Sequence, residues 1–252
     1  FYLGSGLLLL LTRIVWKGRG GVPLVRGDLP WLAASTLTGG MLAPVLLLWG
    51  MERVGGLASS LLLNLEGVFT VVLAWAFFRE RVGPRVLTAV ALAAAGAVWL
   101  TAPQAGRTTT LEGALAVTLA CACWGLDNNV TRRISEVDPL VRGCLKSLVA
   151  GTVGVGIVLA LGIPFPPLRT ALGGLAVGAL SYGASLVCFI LALRGLGASR
   201  TAAYFGVAPF VGAVLSILLL GEGLTAAVAG AGALMGVAVW LLLGEGAEVR
   251  KE

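Results

Sequence analysis

Three charged side chains sit inside long apolar runs: Glu66, Asp127 and Lys146. A charge at the centre of a bilayer costs at least about 2.5–3.5 kcal/mol on insertion scales, so each is expected to have a function. Glu66 stands about twelve residues, or about 18 Å, from one end of its run. A carboxyl group at that depth can carry a proton or meet a solute, or it can be a neutral acid bonded to backbone. Asp127 and Lys146 occupy consecutive runs and lie about equally far from the turn near residues 136–137. An antiparallel hairpin brings them to one depth, so an ion pair is expected. Such a pair can bind a polar solute or can be structural.

Other polar residues extend this set. Trp124, Asp127, Asn128 and Thr131 fall at i, i+3, i+4 and i+7, which is one helical face. A polar face in hydrocarbon must look inward. Asn64, Thr38, Tyr182, Ser185 and Tyr204 are further candidates, although Ser, Thr and Asn also bind helices to each other. The expected substrate-binding or coupling residues are thus Glu66, Asn64, Trp124, Asp127, Asn128, Lys146, Thr38, Tyr182 and Tyr204. Glu80 and Glu222 stand at run ends and are expected to cap neighbouring turns. Gly174 with Gly178, and Gly232 with Gly236, are spaced as packing faces.

Catalytic chemistry has little to work with. The sequence contains no histidine, which removes the commonest general base and metal ligand. Cys121, Cys123, Cys144 and Cys188 lie in or beside apolar runs, and Cys121-x-Cys123 lacks zinc-ligand spacing, so all four read as free thiols. No catalytic residue, metal or cofactor is expected.

The elements that position these residues are membrane spans. Hydrophobic residues make up 58% of the 252-residue chain and charged ones only 12%. A soluble domain carries about 25% charged residues, and this chain has too few to coat a water-soluble surface. The net charge of +6 does not indicate nucleic acid, because the basic residues sit in short clusters between apolar runs. Nine runs approach the roughly 20 residues of a span: 1–16, 30–50, 56–78, 84–102, 111–133, 140–162, 171–193, 199–220 and 224–243. They are too long for membrane strands and do not alternate. Turn chemistry separates them, as at Val82-Gly83-Pro84, Asp138-Pro139 and Ile163-Pro164.

Lys and Arg orient the spans. One set of connections, with the C-terminus, holds Arg13, Lys17, Arg19, Arg26, Arg79, Arg81, Arg85, Arg132, Arg133, Arg142, Arg194, Arg200, Arg250 and Lys251. The opposite set holds Arg53, Arg107 and Arg169. The first set is therefore expected to be cytoplasmic, and residues 244–252 to be a cytoplasmic tail.

The two halves resemble each other. Ala58-Ser59, a span, Phe78-Arg79-Glu80 and a Gly-rich span ending Gly96-Ala97-Val98-Trp99 match Ala198-Ser199, a span, Leu220-Gly221-Glu222 and a Gly-rich span ending Gly236-Val237-Ala238-Val239-Trp240. Five spans per copy is an odd number, so the second copy must be inverted in the membrane. The arginines beside Glu80, with none beside Glu222, agree.

These motifs, with Trp124-Gly125, Asn128, Arg132-Arg133 and Asp138-Pro139 opening the second copy, resemble the drug/metabolite transporter superfamily and its EamA-type members. The resemblance covers essentially the whole chain. It implies an all-α membrane protein of two inverted five-helix repeats, here residues 1–102 and 111–243, with nine helices visible of an expected ten. It implies a transporter of small solutes, with a central cavity lined by the first, third and fourth helices of each repeat. The sequence departs from the family pattern in two places. The first helix of repeat one is absent, and Glu66-Gly67 stands where repeat two has Ala208-Pro209.

The expected function is export of an amino-acid-like or drug-like metabolite across a bacterial cytoplasmic membrane by alternating access. The expected partners are a small solute, the lipid bilayer and coupled protons, with no nucleic acid and a monomeric or homodimeric state. The rival readings are a lipid-processing membrane enzyme and a non-transporting membrane scaffold.

Overall fold

The computed structural model describes residues 1–15, 21–78, 83–101, 110–196, 201 and 204–248. Lys17, Arg19, Arg79, Glu80, Arg81, Arg107, Ala198, Ser199, Arg200, Arg250 and Lys251 lie outside the described residues. Among the described residues the fold is helical, and β structure is limited to one isolated bridge between Val22 and Val137. The chain divides into two compact units, Phe1–Met41 with Asp127–Gly195, and Leu42–Leu126 with Leu196–Glu252.

The first unit begins with α1 (Tyr2–Val15). A 3-10 turn (Arg26–Asp28) then leads into α2 (Leu29–Ser35), which runs on through a π segment, Thr36–Leu42. Its later helices are the end of α6 (Leu111–Arg132), α7 (Pro139–Ala160), α8 (Leu168–Gly178), a second π segment (Ala179–Ala184) and α9 (Ser185–Leu196). α7 starts where the sequence says it should: Asp138 is the N-cap, its side chain accepts from Leu140 N at 2.9 Å, and Pro139 takes the first helical position. α1 and α7 pack antiparallel. Gly151 lies against Leu3, Ser147 bonds Ser5 (3.3 Å) and Gly143 approaches Leu9. Leu9, Leu140, Cys144 and Ile190 form the buried seam.

The π segments have a local cause. Thr36 and Thr38 return their hydroxyls to the carbonyls of Leu32 and Ala34 (2.7 and 2.8 Å), which competes with regular helical bonding. Glycines at 39, 40 and 183 weaken the α preference further. The two segments interrupt matching spans of the two sequence copies, 30–50 and 171–193.

The second unit holds α3 (Ala43–Leu62), α4 (Leu65–Phe78), α5 (Pro84–Thr101), residues 111–126 of α6, α10 (Ala208–Leu220) and α11 (Ala226–Glu248). Gly55, at φ 81° and ψ 168°, breaks α3 at the turn read from sequence. α5 and α11 pack antiparallel: Arg85 reaches Trp240 (5.7 Å), Gly96 meets Ala231 and Met235, and Trp99 lies on Gly230. Leu57, Leu61, Leu62, Ala89, Ala93, Ala231 and Met235 are among its buried core.

A second pair of matching spans is also interrupted. Run 56–78 breaks at Leu63–Asn64, and run 199–220 breaks at Gly206–Val207 before Ala208-Pro209. A proline explains the second break, since it has no N–H to donate. The first break occurs without one. Asn64 caps it by donating Nδ2 to the Leu61 carbonyl (2.8 Å), and the Cys121 thiol donates to Leu62 O (3.5 Å). The exchange of Pro for an acid therefore leaves the discontinuity in place.

Three described helices are long and apolar enough to cross a bilayer: Arg26–Leu62, Pro139–Ala160 and Leu168–Ala192. Five more apolar helices are shorter, among them Leu65–Phe77 and Ala208–Leu220, which the breaks cut short. Large apolar side chains cover the surface, with Leu218 and Leu219 72% and 75% exposed, as suits hydrocarbon and not water. One sequence expectation is corrected. Gly174 faces open space, and α8 meets α1 through Leu175 and Gly178, because those two lie on the α1 side of the helix. Residues 244–248 continue α11 as helix.

Candidate functional site

In the first unit, four segments converge on Asp127. The hairpin of α6 and α7 brings Lys146 to it, and the two form an ion pair with both residues only 7% exposed. Asp127 Oδ2 takes the ammonium, while Oδ1 accepts from Ser35 Oγ on α2 and from Thr131 Oγ1 one turn along α6 (3.2 Å). Ser35 and Thr131 also bond each other at 3.2 Å. The carboxylate is thus held on both oxygens.

The π segment makes room for the pair. A Cβ at Gly39 would overlap the Asp127 carboxyl group, so the backbone can approach it only as glycine. Gly40 lies against the aliphatic stem of Lys146, and a Cβ built there would stand 3.5 Å from its Cγ and Cε. Tyr2 on α1 donates its hydroxyl to the Gly39 carbonyl (3.1 Å), and its ring lies 5.5 Å from that of Tyr182 in the second π segment. Arg142 precedes Lys146 by one turn, so both cations project from one side of α7, and it donates to the Ile134 carbonyl (3.0 Å). Two cations therefore accompany the Asp127 carboxylate, with aromatic rings and hydroxyls around them, while a second buried carboxylate, Asp138, caps α7 one turn before Arg142 and pairs with Arg13 (3.7 Å). That inventory suits a small solute with separated charges and an apolar part.

Of the residues expected from sequence, Asp127, Lys146, Thr38 and Tyr182 come from this unit. Thr38 returns its hydroxyl to its own helix and flanks Gly39. Asn128 belongs here but is exposed, whereas its neighbour Asn129 is 1% exposed. The sequence reading missed Tyr2, Ser35, Gly39 and Asn129. Ser35 and Gly39 stand four apart beside Thr38 on one helix face, the signal that could have found them.

The remaining candidates lie in the second unit. Asn64 is buried and caps the helix break. Glu66 opens α4, half-buried, and its carbonyl accepts from the Thr70 hydroxyl (2.8 Å). Trp124 is half-buried on α6, and Tyr204 is 70% exposed beside the second break. Glu222 performs the capping expected of it: Gly56 N and Leu57 N donate to its two carboxylate oxygens at 2.7 and 2.8 Å.

Comparison with known proteins identifies the family. The EamA-like transporter family matches residues 1–102 and 111–244. An "Uncharacterized transporter" of Methanothermobacter thermautotrophicus is 30% identical over 222 residues, covering 84% of this chain and 64% of the relative. A "Probable terminal-alkyne amino-acid exporter" of Streptantibioticus cattleyicolor is 27% identical, covering 77% of this chain and 66% of the relative. The matched stretches span about two thirds of those relatives' lengths. A crystal structure at 18% identity superposes with a TM-score of 0.61, covering 96% of this chain and 84% of that one, and shares the fold. With nearly the whole length matched, and by a family of transporters as opposed to enzymes, the chain belongs to the EamA-like transporter family.

Proposed function

We propose that this protein is a secondary transporter that moves a small organic metabolite out across the cytoplasmic membrane. The solute contacts the buried Asp127–Lys146 pair, and that pair is the observation that carries the reading. A solute with an ammonium and a carboxylate, of the amino-acid class, can offer a counter-charge to each partner, so neither is left bare in a low-dielectric setting. A singly charged solute strands one of them. The name of the amino-acid exporter from Streptantibioticus cattleyicolor supports the same class, with an apolar, drug-like solute as the second reading.

The architecture we propose has nine spans in two inverted repeats, residues 1–102 and 111–243, with the C-terminus cytoplasmic. Corresponding spans pack antiparallel, α1 with α7 and α5 with α11, as an axis in the membrane plane requires. Corresponding spans also carry matching π segments and matching breaks. Interrupted helices at mid-depth are where such proteins bind solutes and coupling ions.

Glu66, in the first turn after the Leu63–Asn64 break, is the residue we assign to proton coupling. The intact chain in lipid vesicles should drive efflux of an amino-acid-class solute uphill against an imposed pH gradient. Glu66→Gln keeps shape and hydrogen bonding and cannot titrate. It should retain downhill exchange and lose uphill, gradient-driven transport at least about tenfold. Uphill transport at the intact rate makes Glu66 structural.

A further inference from the structure

The clamp that Glu222 places on the start of a short helical segment is more than a cap. Gly56–Leu62 is bounded by two backbone breaks, Gly55 at φ 81° on one side and the Leu63–Asn64 turn on the other. It is therefore a rigid seven-residue piece between two joints, and its far end meets the joint at Leu63–Asn64, beyond which Glu66 opens α4. Its near end is held by the bidentate carboxylate, through Gly56 N (2.7 Å) and Leu57 N (2.8 Å). Gly221, at φ 67°, turns the chain at the end of α10 and sends Glu222 back toward it.

The rest of the seam between this piece and α10 joins the buried core, where Leu57, Ala58, Leu61 and Leu62 lie with Ala213, to a row of small residues. Gly56 faces Ser216 and Leu220, and Ser60 faces Gly212. Along that row the side chains are small, and the near end of the piece is fixed by charge-assisted bonds to two amides that the Gly55 break leaves without helical partners. Ser59 Oγ, fully buried in the same piece, has no hydrogen-bond partner among the described residues.

We propose that Glu222 is a positioning residue for transport. Its carboxylate holds Gly56–Leu62 against α10 in one state of the cycle and releases it in another, and the release shifts the Leu63–Asn64 joint from which α4 and Glu66 set out. For its functional arm this rests on the transporter reading above. Deleting the carboxylate leaves the two amides to water or to nothing. Glu222→Gln keeps one acceptor oxygen and should fall between the intact chain and Glu222→Ala.

The structure supplies a lock for testing release. A Cβ built at Gly212 would lie 3.4 Å from Ser60 Cβ, close to the separation across a disulfide. The full chain with Ser60→Cys and Gly212→Cys is reconstituted in lipid vesicles, oxidised with copper phenanthroline, and compared with each single variant treated alike. Counterflow of an amino-acid-class solute should fall at least about tenfold on oxidation and return with dithiothreitol. In parallel, hydrogen exchange is followed by mass spectrometry in lipid nanodiscs. Amides 56–62 of the intact chain should exchange together, at least about tenfold faster than the buried amides of α5. Glu222→Ala should speed them further, Glu222→Gln by less, and the disulfide should slow them to the α5 rate.

Counterflow undiminished in the disulfide-linked protein overturns the proposal. So does exchange of 56–62 that is as slow as α5 in the intact chain and unmoved by Glu222→Ala. If the intact chain moves no solute, the transporter reading fails, and the exchange measurements still decide whether the clamp opens.

Discussion

Asp127 is secured by Lys146 on one oxygen and by Ser35 and Thr131 on the other. Removing one member of a buried ion pair leaves the other uncompensated, a loss of about 3–5 kcal/mol, while removing both is often nearly neutral. Asp127→Asn and Lys146→Met should therefore each lower the thermal midpoint in detergent sharply, and the double variant should recover most of the loss. Additive losses in that cycle would show that the two charges do not stabilise each other. The pair was legible in the sequence because a hairpin equates the depth of residues equidistant from its turn. Thr131 was legible by its place on the Asp127 face, whereas Ser35 was not, because serine serves helix packing as readily as solute contact. Tyr2 was invisible for another reason: its partner is a backbone carbonyl on a different helix, and no spacing encodes that.

At the scale of the elements, the interruptions matter most. Gly55 combines a left-handed φ with a carboxylate 3.2 Å from where its Cβ would stand. Gly55→Ala should cost about 1–2 kcal/mol from the backbone alone, measured as a lowered unfolding midpoint, and more if Glu222 is displaced. A midpoint equal to that of the intact chain would mean that the break is relaxed by other means. The turn at residues 52–56 and the helix starts at Pro84 and Pro139 followed from Gly and Pro chemistry. The break at Leu63–Asn64 did not, because its causes are an asparagine bonding its own backbone and a cysteine on another helix. The π segments were also unread, since a π turn adds one residue to a helix without changing its apolar character.

For the whole molecule, the duplication seen in the sequence reappears as paired irregularities and antiparallel packing of corresponding helices, which supports inverted repeats. Labelling single cysteines placed at Arg107 and Arg132 with a membrane-impermeant reagent should report opposite sides of the bilayer. The same side for both would break the proposed topology. The central claim is that the Asp127–Lys146 cluster receives a solute bearing both charges. Its most direct test is counterflow in lipid vesicles by the intact chain, comparing an amino acid with its N-acetyl and its decarboxylated analogues. The account predicts that the amino acid is preferred over both by about 100-fold, the ratio expected when a buried charge is otherwise stranded. It predicts too that Asp127→Asn with Lys146→Met abolishes the preference. Equal transport of all three solutes by the intact chain, or an undiminished preference in the double variant, would contradict it.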